Sequence, residues 1–165
     1  MIYAIAQSAE QIASLLISKG ADVNFMYVKF SGSEISPLGL ALFYTEISLD
    51  VIKILIEHGA NINYVYFRKS SSLFTKYSLV NTLTWIKNQE NKQFIIHYLL
   101  EIYDKDILAI ALNDNCSLAV IAELVRNGAS IPSHIIEIAK KLKVKKEIIN
   151  FFQYQFEVHY IMSNF

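Results

Sequence analysis

Leu55-Ile-Glu-His-Gly-Ala-Asn-Ile-Asn63 and Leu16-Ile-Ser-Lys-Gly-Ala-Asp-Val-Asn24 are near copies, and Leu124-Val-Arg-Asn-Gly-Ala-Ser-Ile-Pro132 repeats the pattern more weakly. Each has one physical reading. An apolar helix runs out, a glycine (Gly20, Gly59, Gly128) takes the left-handed cap position that lets the last carbonyls be satisfied, and a small residue starts an extended excursion. In the first two copies the excursion begins by closing on Asn or Asp, which suit turns. Recurrence at tens of residues predicts a stack of supersecondary units.

Working outward, apolar periodicity and start signals predict pairs of helices. Ile2–Gln7 and Glu10–Ser18 form the first pair, with Ala4, Ile5, Ile12, Leu15 and Leu16 on the buried face. Ser36-Pro37 is a strong helix start. It opens Leu38–Tyr44, and a turn through Thr45 and Glu46 leads to Leu49–His58, with Val51, Ile52, Leu55 and Ile56 inward. Ser78 opens Leu79–Lys87, with Trp85 among its core positions. Asn88 to Asn91 is read as a turn before Lys92–Ile102. Ile107–Leu112, Ser117–Asn127, Ile135–Leu142 and a terminal helix from Lys145 to about Tyr160 complete the chain.

These units resemble the ankyrin repeat, whose period is about 33 residues and whose signature is T-P-L-H-x-A. Ser36-Pro-Leu-Gly-Leu-Ala41 stands at that signature, with Gly39 in place of the histidine. Weaker copies are Ser78-Leu-Val-Asn-Thr-Leu83, Asp106-Ile-Leu-Ala-Ile-Ala111 and His134-Ile-Ile-Glu-Ile-Ala139. The resemblance implies an all-α, ankyrin-type α-solenoid in one domain, with units of approximately 1–24, 25–63, 64–103, 104–132 and 133–165. The third and fifth are degenerate.

Departures from the pattern locate the expected function. Gly20 and Gly59 lie 39 residues apart, longer than the ordinary period, and the excursion after Asn63 is longer still. The last two excursions almost vanish. Insertions in such a stack map to loops on one face, often the binding face. Two long N-terminal fingers, Phe25-Met-Tyr-Val-Lys-Phe30 and Tyr64-Val-Tyr-Phe-Arg68, therefore carry the candidate partner-binding residues Tyr27, Phe30, Tyr64, Tyr66, Phe67 and Arg68, with Phe74 just beyond. Aromatics and Arg dominate interface energetics. The competing expectation is that the two segments pair as a hairpin ladder and bury half their aromatics on adjacent helices.

The totals exclude several classes. In 165 residues, 15 basic side chains balance 15 acidic ones, which argues against a nucleic-acid binder driven by bulk charge. The basic run from Lys140 to Lys146 reads as a solvated turn. One cysteine, Cys116, rules out an internal disulfide and fits a reducing compartment. Cys116 sits at a helix start but has no base in a recognisable pattern, so no catalytic residue is assigned. His58, His97, His134 and His159 are scattered singly, so no metal site is expected, and the lack of a glycine-rich phosphate loop leaves no cofactor and no small-molecule substrate. No apolar run approaches the ~18 residues of a spanning helix, and the N-terminus lacks the charge pattern of a signal peptide.

The expected function is a non-catalytic protein–protein interaction module binding another protein through its fingers and the family's concave face, in a cytoplasmic setting. A composition rich in Ile, Lys, Asn, Tyr and Phe suggests an AT-rich genome and, by analogy, a host-directed effector of a pathogen. The alternatives are a non-catalytic repeat fragment of a larger enzyme, and a self-associating module using the apolar C-terminal stretch that carries Phe151, Phe152, Tyr154, Phe156, Tyr160 and Phe165. That stretch is expected either to fold back and cap the stack, the favoured reading, or to meet another chain.

Overall fold

The computed structural model of the protein describes residues 1–43, 47–63, 65–69 and 74–163. Its helices are α1 (Ile2–Ala6), α2 (Glu10–Ser18), α3 (Pro37–Phe43), α4 (Leu49–Glu57), α5 (Leu79–Thr82), α6 (Gln89–Tyr103), α7 (Ile107–Asn113), α8 (Leu118–Arg126), α9 (Ile135–Lys141) and α10 (Lys146–Ser163). A single turn of 3-10 helix, Asp104–Asp106, joins α6 to α7. Among the described residues there are also four short strands: β1 (Tyr27–Val28), β2 (Glu34–Ile35), β3 (Tyr66–Lys69) and β4 (Phe74–Tyr77). The molecule is thus mostly helical but not all-α. The excursions expected as finger loops pair into one antiparallel sheet of order β1-β2-β3-β4. Expectations placed on Tyr44, Thr45, Glu46, Tyr64 and Phe165 lie outside the described residues.

The chain divides into two compact units, Met1–Ile95 and Ile96–Phe165, with the boundary inside α6. In the first unit α1 packs on α2 and α3, while α4 packs on both α2 and α3. Its core holds Ile5, Ala13, Ile17, Ile35, Leu38, Ile52 and Leu55, all at most 1% exposed. In the second unit α7 packs on α8 and α9, and α9 packs on α10. Ile107, Leu108, Ala111, Ile121, Leu124, Ile135 and Phe152 fill that core.

Helix ends repeat one hydrogen-bond scheme. Gly59 (φ +81°) donates its N–H to the Ile56 carbonyl, and Ala60 donates to Leu55. Gly20 and Ala21 do the same to Ile17 and Leu16, and Gly128 and Ala129 to Val125 and Leu124. This is the Schellman cap, in which two main-chain donors fold back onto the last free carbonyls. Ser8, Asn115 and Lys143, at φ +52°, +53° and +53°, form the same corner without glycine, followed by Ala9, Cys116 and Val144. After the first two corners a short side chain takes over: Asp22 accepts the Asn24 N–H at 2.8 Å, and Asn61 accepts the Asn63 N–H at 2.9 Å. Asn24 then reaches to the next corner. Its amide donates to the Gly59 carbonyl at 3.0 Å, and its Oδ1 accepts the Asn61 N–H at 2.7 Å.

The Ser36 start forms as its sequence predicts, the hydroxyl accepting the Gly39 N–H at 3.0 Å. The same hydroxyl donates to the Val65 carbonyl at 3.2 Å, and the Ser36 N–H donates to it at 3.0 Å. That carbonyl lies where a Cβ of residue 39 would stand, so no side chain fits at Gly39. At Ser78 the cap is reciprocal: its hydroxyl accepts the Asn81 N–H and the Asn81 side chain accepts the Ser78 N–H.

Three local expectations fail. The helix predicted over Leu79–Lys87 ends at Thr82, because the Thr82 hydroxyl donates to the Leu79 carbonyl and the following amides tighten to three-residue spacing, Leu83 to Val80 and Trp85 to Thr82. The turn predicted at Asn88 to Asn91 is instead the start of α6, since Asn88 Oδ1 caps the Asn91 N–H at 3.0 Å. Finally, Ile12, Leu15 and Leu16 are 56%, 58% and 36% exposed; α2 turns Ala13 and Ile17 inward instead. Val51 and Leu55, which occupy the equivalent places in α4, are fully buried.

Candidate partner-binding site

Two features of the chain build the site. The first is the register of the sheet. Tyr27 stands opposite Ile35, Ile35 opposite Tyr66, and Tyr66 opposite Tyr77, so these residues share one face. Arg68, two residues beyond Tyr66, lies on the same face, whereas Phe67 faces the other way with Glu34 and Lys76. The second feature is the early end of α5, which leaves Trp85 in a turn at 38% exposure, not on a helix in the core.

Phe43, Tyr66, Tyr77 and Trp85 meet as a ring cluster. Trp85 lies 4.8 Å from Tyr77, 5.6 Å from Phe43 and 5.9 Å from Tyr66, centroid to centroid, and Tyr66 meets both Phe43 and Trp85 edge-on at 90°. Such edge-to-face pairs are each worth about 0.5–1.5 kcal/mol beyond the area they bury. The cluster is therefore fixed before any ligand arrives. A hollow of ≈ 400 Å³ lies beside it, lined by these four rings with Lys29 and Arg68. The Lys29 ammonium sits 5.7 Å from the Tyr66 ring centroid, within cation–π range. No described carboxylate pairs with Lys29 or Arg68, and none lines the hollow.

The residues expected to bind a partner separate accordingly. Tyr66 and Arg68 come together at the hollow. Tyr27 is half-buried and lines a second hollow of ≈ 350 Å³ with Tyr3, Asp22 and Phe25. Phe30 is fully exposed in the β1–β2 turn, apart from both. Phe67 is half-buried on the opposite face of the sheet, so it does not join Tyr66 and Arg68. Tyr64 lies outside the described residues; Phe74 gives its backbone to β4, and its side chain lies outside what is described. Sequence reasoning missed Lys29 and Phe43 altogether and assigned Trp85 to the core. The antiparallel pairing of β3 with β4 sets Tyr77 opposite Tyr66.

Elsewhere the chain is plainer. Cys116 is buried at 6% exposure and follows the cap at Asn115. Among the described residues no group of His, Cys, Asp and Glu could hold a metal ion, and no helix is long and apolar enough to cross a membrane. Lys140, Lys141, Lys143, Lys145 and Lys146 are all exposed, and Lys145 meets Glu147 at 3.9 Å in the open. Such pairs contribute little. Compared with known families, with curated proteins and with solved structures, the chain matches none of them.

Proposed function

We propose that the chain is a non-catalytic, ankyrin-type repeat protein that holds another protein against the sheet made by its two N-terminal excursions. Recurrence of the same Schellman corner at Gly20, Gly59 and Gly128 supports the repeat reading, as does the Ser36-Pro37 start. One observation carries the functional reading: aromatic rings packed against one another, half-exposed, beside two cations. Rings already held in place lose little conformational freedom on docking, so the contact energy is kept for the partner.

Affinity capture with the full chain from cell extract tests it, repeated with Tyr66→Ala/Trp85→Ala and with Phe67→Ala. The double variant is expected to lose the captured protein while Phe67→Ala keeps it, each with an unchanged circular dichroism spectrum. Equal recovery by the wild type and the double variant removes the sheet face from the function.

A second reading is self-association. Tyr154, Tyr160, Ile161 and Met162 of α10 are 55–77% exposed. Concentration-dependent sedimentation that disappears in Tyr154→Glu/Ile161→Glu supports that reading; a single monomeric species at all concentrations ends it.

A further inference from the structure

The proposed docking surface also discriminates between kinds of partner, and this step rests on that reading. Aromatic clusters are often receptors for cationic groups. Here that role is opposed: Lys29 already covers the Tyr66 ring, and Arg68 adds a second positive charge to the same hollow with no described acid lining it. A cationic ligand would meet two like charges, while an anionic one meets two that no described group neutralises. The guanidinium of Arg68 is shaped to receive a carboxylate through two parallel N–H donors.

Geometry narrows the carrier of that anion. β4 is the outer strand of the sheet and supplies Tyr77 to the hollow, with Thr75 and Lys76 exposed beside it. An outer strand receives an extended peptide, whose alternate side chains then fall on one face. Bases could also stack on such rings, but binding of single strands needs a positive groove along the backbone, and the chain is neutral overall.

We propose that the hollow takes an acidic, extended peptide segment of the partner protein. A Glu or Asp carboxylate meets Arg68 and Lys29, and the apolar or aromatic side chain two positions away lies on Tyr77 and Trp85.

Trp85 is the only tryptophan in the chain, so its fluorescence reports on this hollow alone. The test titrates the full chain with a random glutamate–tyrosine copolymer while following Trp85 emission. The expected result is a saturable shift that weakens as salt is raised. Arg68→Ala and Lys29→Ala weaken binding at least tenfold, Arg68→Glu abolishes it, and Lys140→Ala leaves it unchanged. Circular dichroism verifies that each variant is folded. No shift, a shift indifferent to Arg68→Ala, or equally tight binding of a lysine–tyrosine copolymer or of single-stranded oligothymidylate overturns the proposal. Failure here is separable from failure of the docking surface itself. If capture of the partner needs Tyr66 and Trp85 but ignores Arg68→Glu and the acidic copolymer, the surface stands and the acidic segment falls.

Discussion

Helices α4 and α8 end in the same corner and hand the chain on differently. After Gly59 and Ala60 the backbone runs out into β3 and β4 before returning to α5; after Gly128 and Ala129 it passes within a few residues to α9. The corner is a local device, set by a leucine, a glycine and a small residue whose amides fold back on the helix. The path beyond the corner is set by other residues: Tyr66, Arg68 and Tyr77 need strand neighbours, and Ser130-Ile-Pro132 needs none. The frame and the recognition surface are thus independently adjustable, and the molecule devotes length to the surface only in its first unit.

The largest effect is expected at the leucines that open the corners. Leu55 and Leu124 are fully buried and donate no side-chain hydrogen bond, so Leu55→Ala and Leu124→Ala should each cost about 2–5 kcal/mol in urea unfolding. A much smaller cost at one of them would show that the two corners are not equivalent. Next come the glycines. At Gly59 (φ +81°) and Gly128 (φ +102°) there is room for a methyl group but not the right backbone, so Ala at either should cost about 1–2 kcal/mol. Lys143→Gly should move stability the opposite way by about 0.5–1 kcal/mol, because that corner holds a left-handed lysine. Of the variants at Gly59, Gly128 and Lys143, only Gly59→Ala should also alter Trp85 emission, since of these corners only that one leads into the ring cluster.

Asn24→Ala should cost about 1 kcal/mol. It removes one donor and one acceptor that join the first corner to the second, at an exposed position where water partly replaces them. The smallest effect is a pH dependence. Burial raises the Tyr103 phenol above its ordinary 10.0, helped by the Asp114 carboxylate and by Tyr98. The folded chain then holds that proton more tightly than the unfolded chain. Its contribution is complete below pH 10 and is lost as pH climbs through the raised value. Stability of Tyr103→Phe, measured by urea midpoints at alkaline pH, should therefore fall less steeply than that of the wild type.

Much of this architecture is legible in the residues, for physical reasons that also explain the failures. Helix caps are local: Gly20, Gly59, Gly128, Ser36 and Ser78 announce themselves because each satisfies donors or acceptors within five residues. Sheet pairing between excursions is not local. Glu34 and Phe67 are 33 positions apart in the chain yet opposite in the sheet, and no period announces that. The hollow depends on that pairing, so Tyr66 and Arg68 could be singled out by type but not separated from Phe67. Trp85 reads as a core residue because Leu79, Leu83 and Ile86 give a helical spacing that Thr82 interrupts. The apolar stripe Ile12, Leu15 and Leu16 has the spacing of a core face, and spacing alone cannot say whether anything covers it.

Gly39 carries a further consequence. With the Val65 carbonyl seated over its α-carbon, alanine already collides, and every larger residue collides more. Position 39 has in effect been withdrawn from the mutational alphabet for as long as the second excursion returns along its present path. Any sequence that places a side chain there must also reroute that loop, so the two changes can only come together.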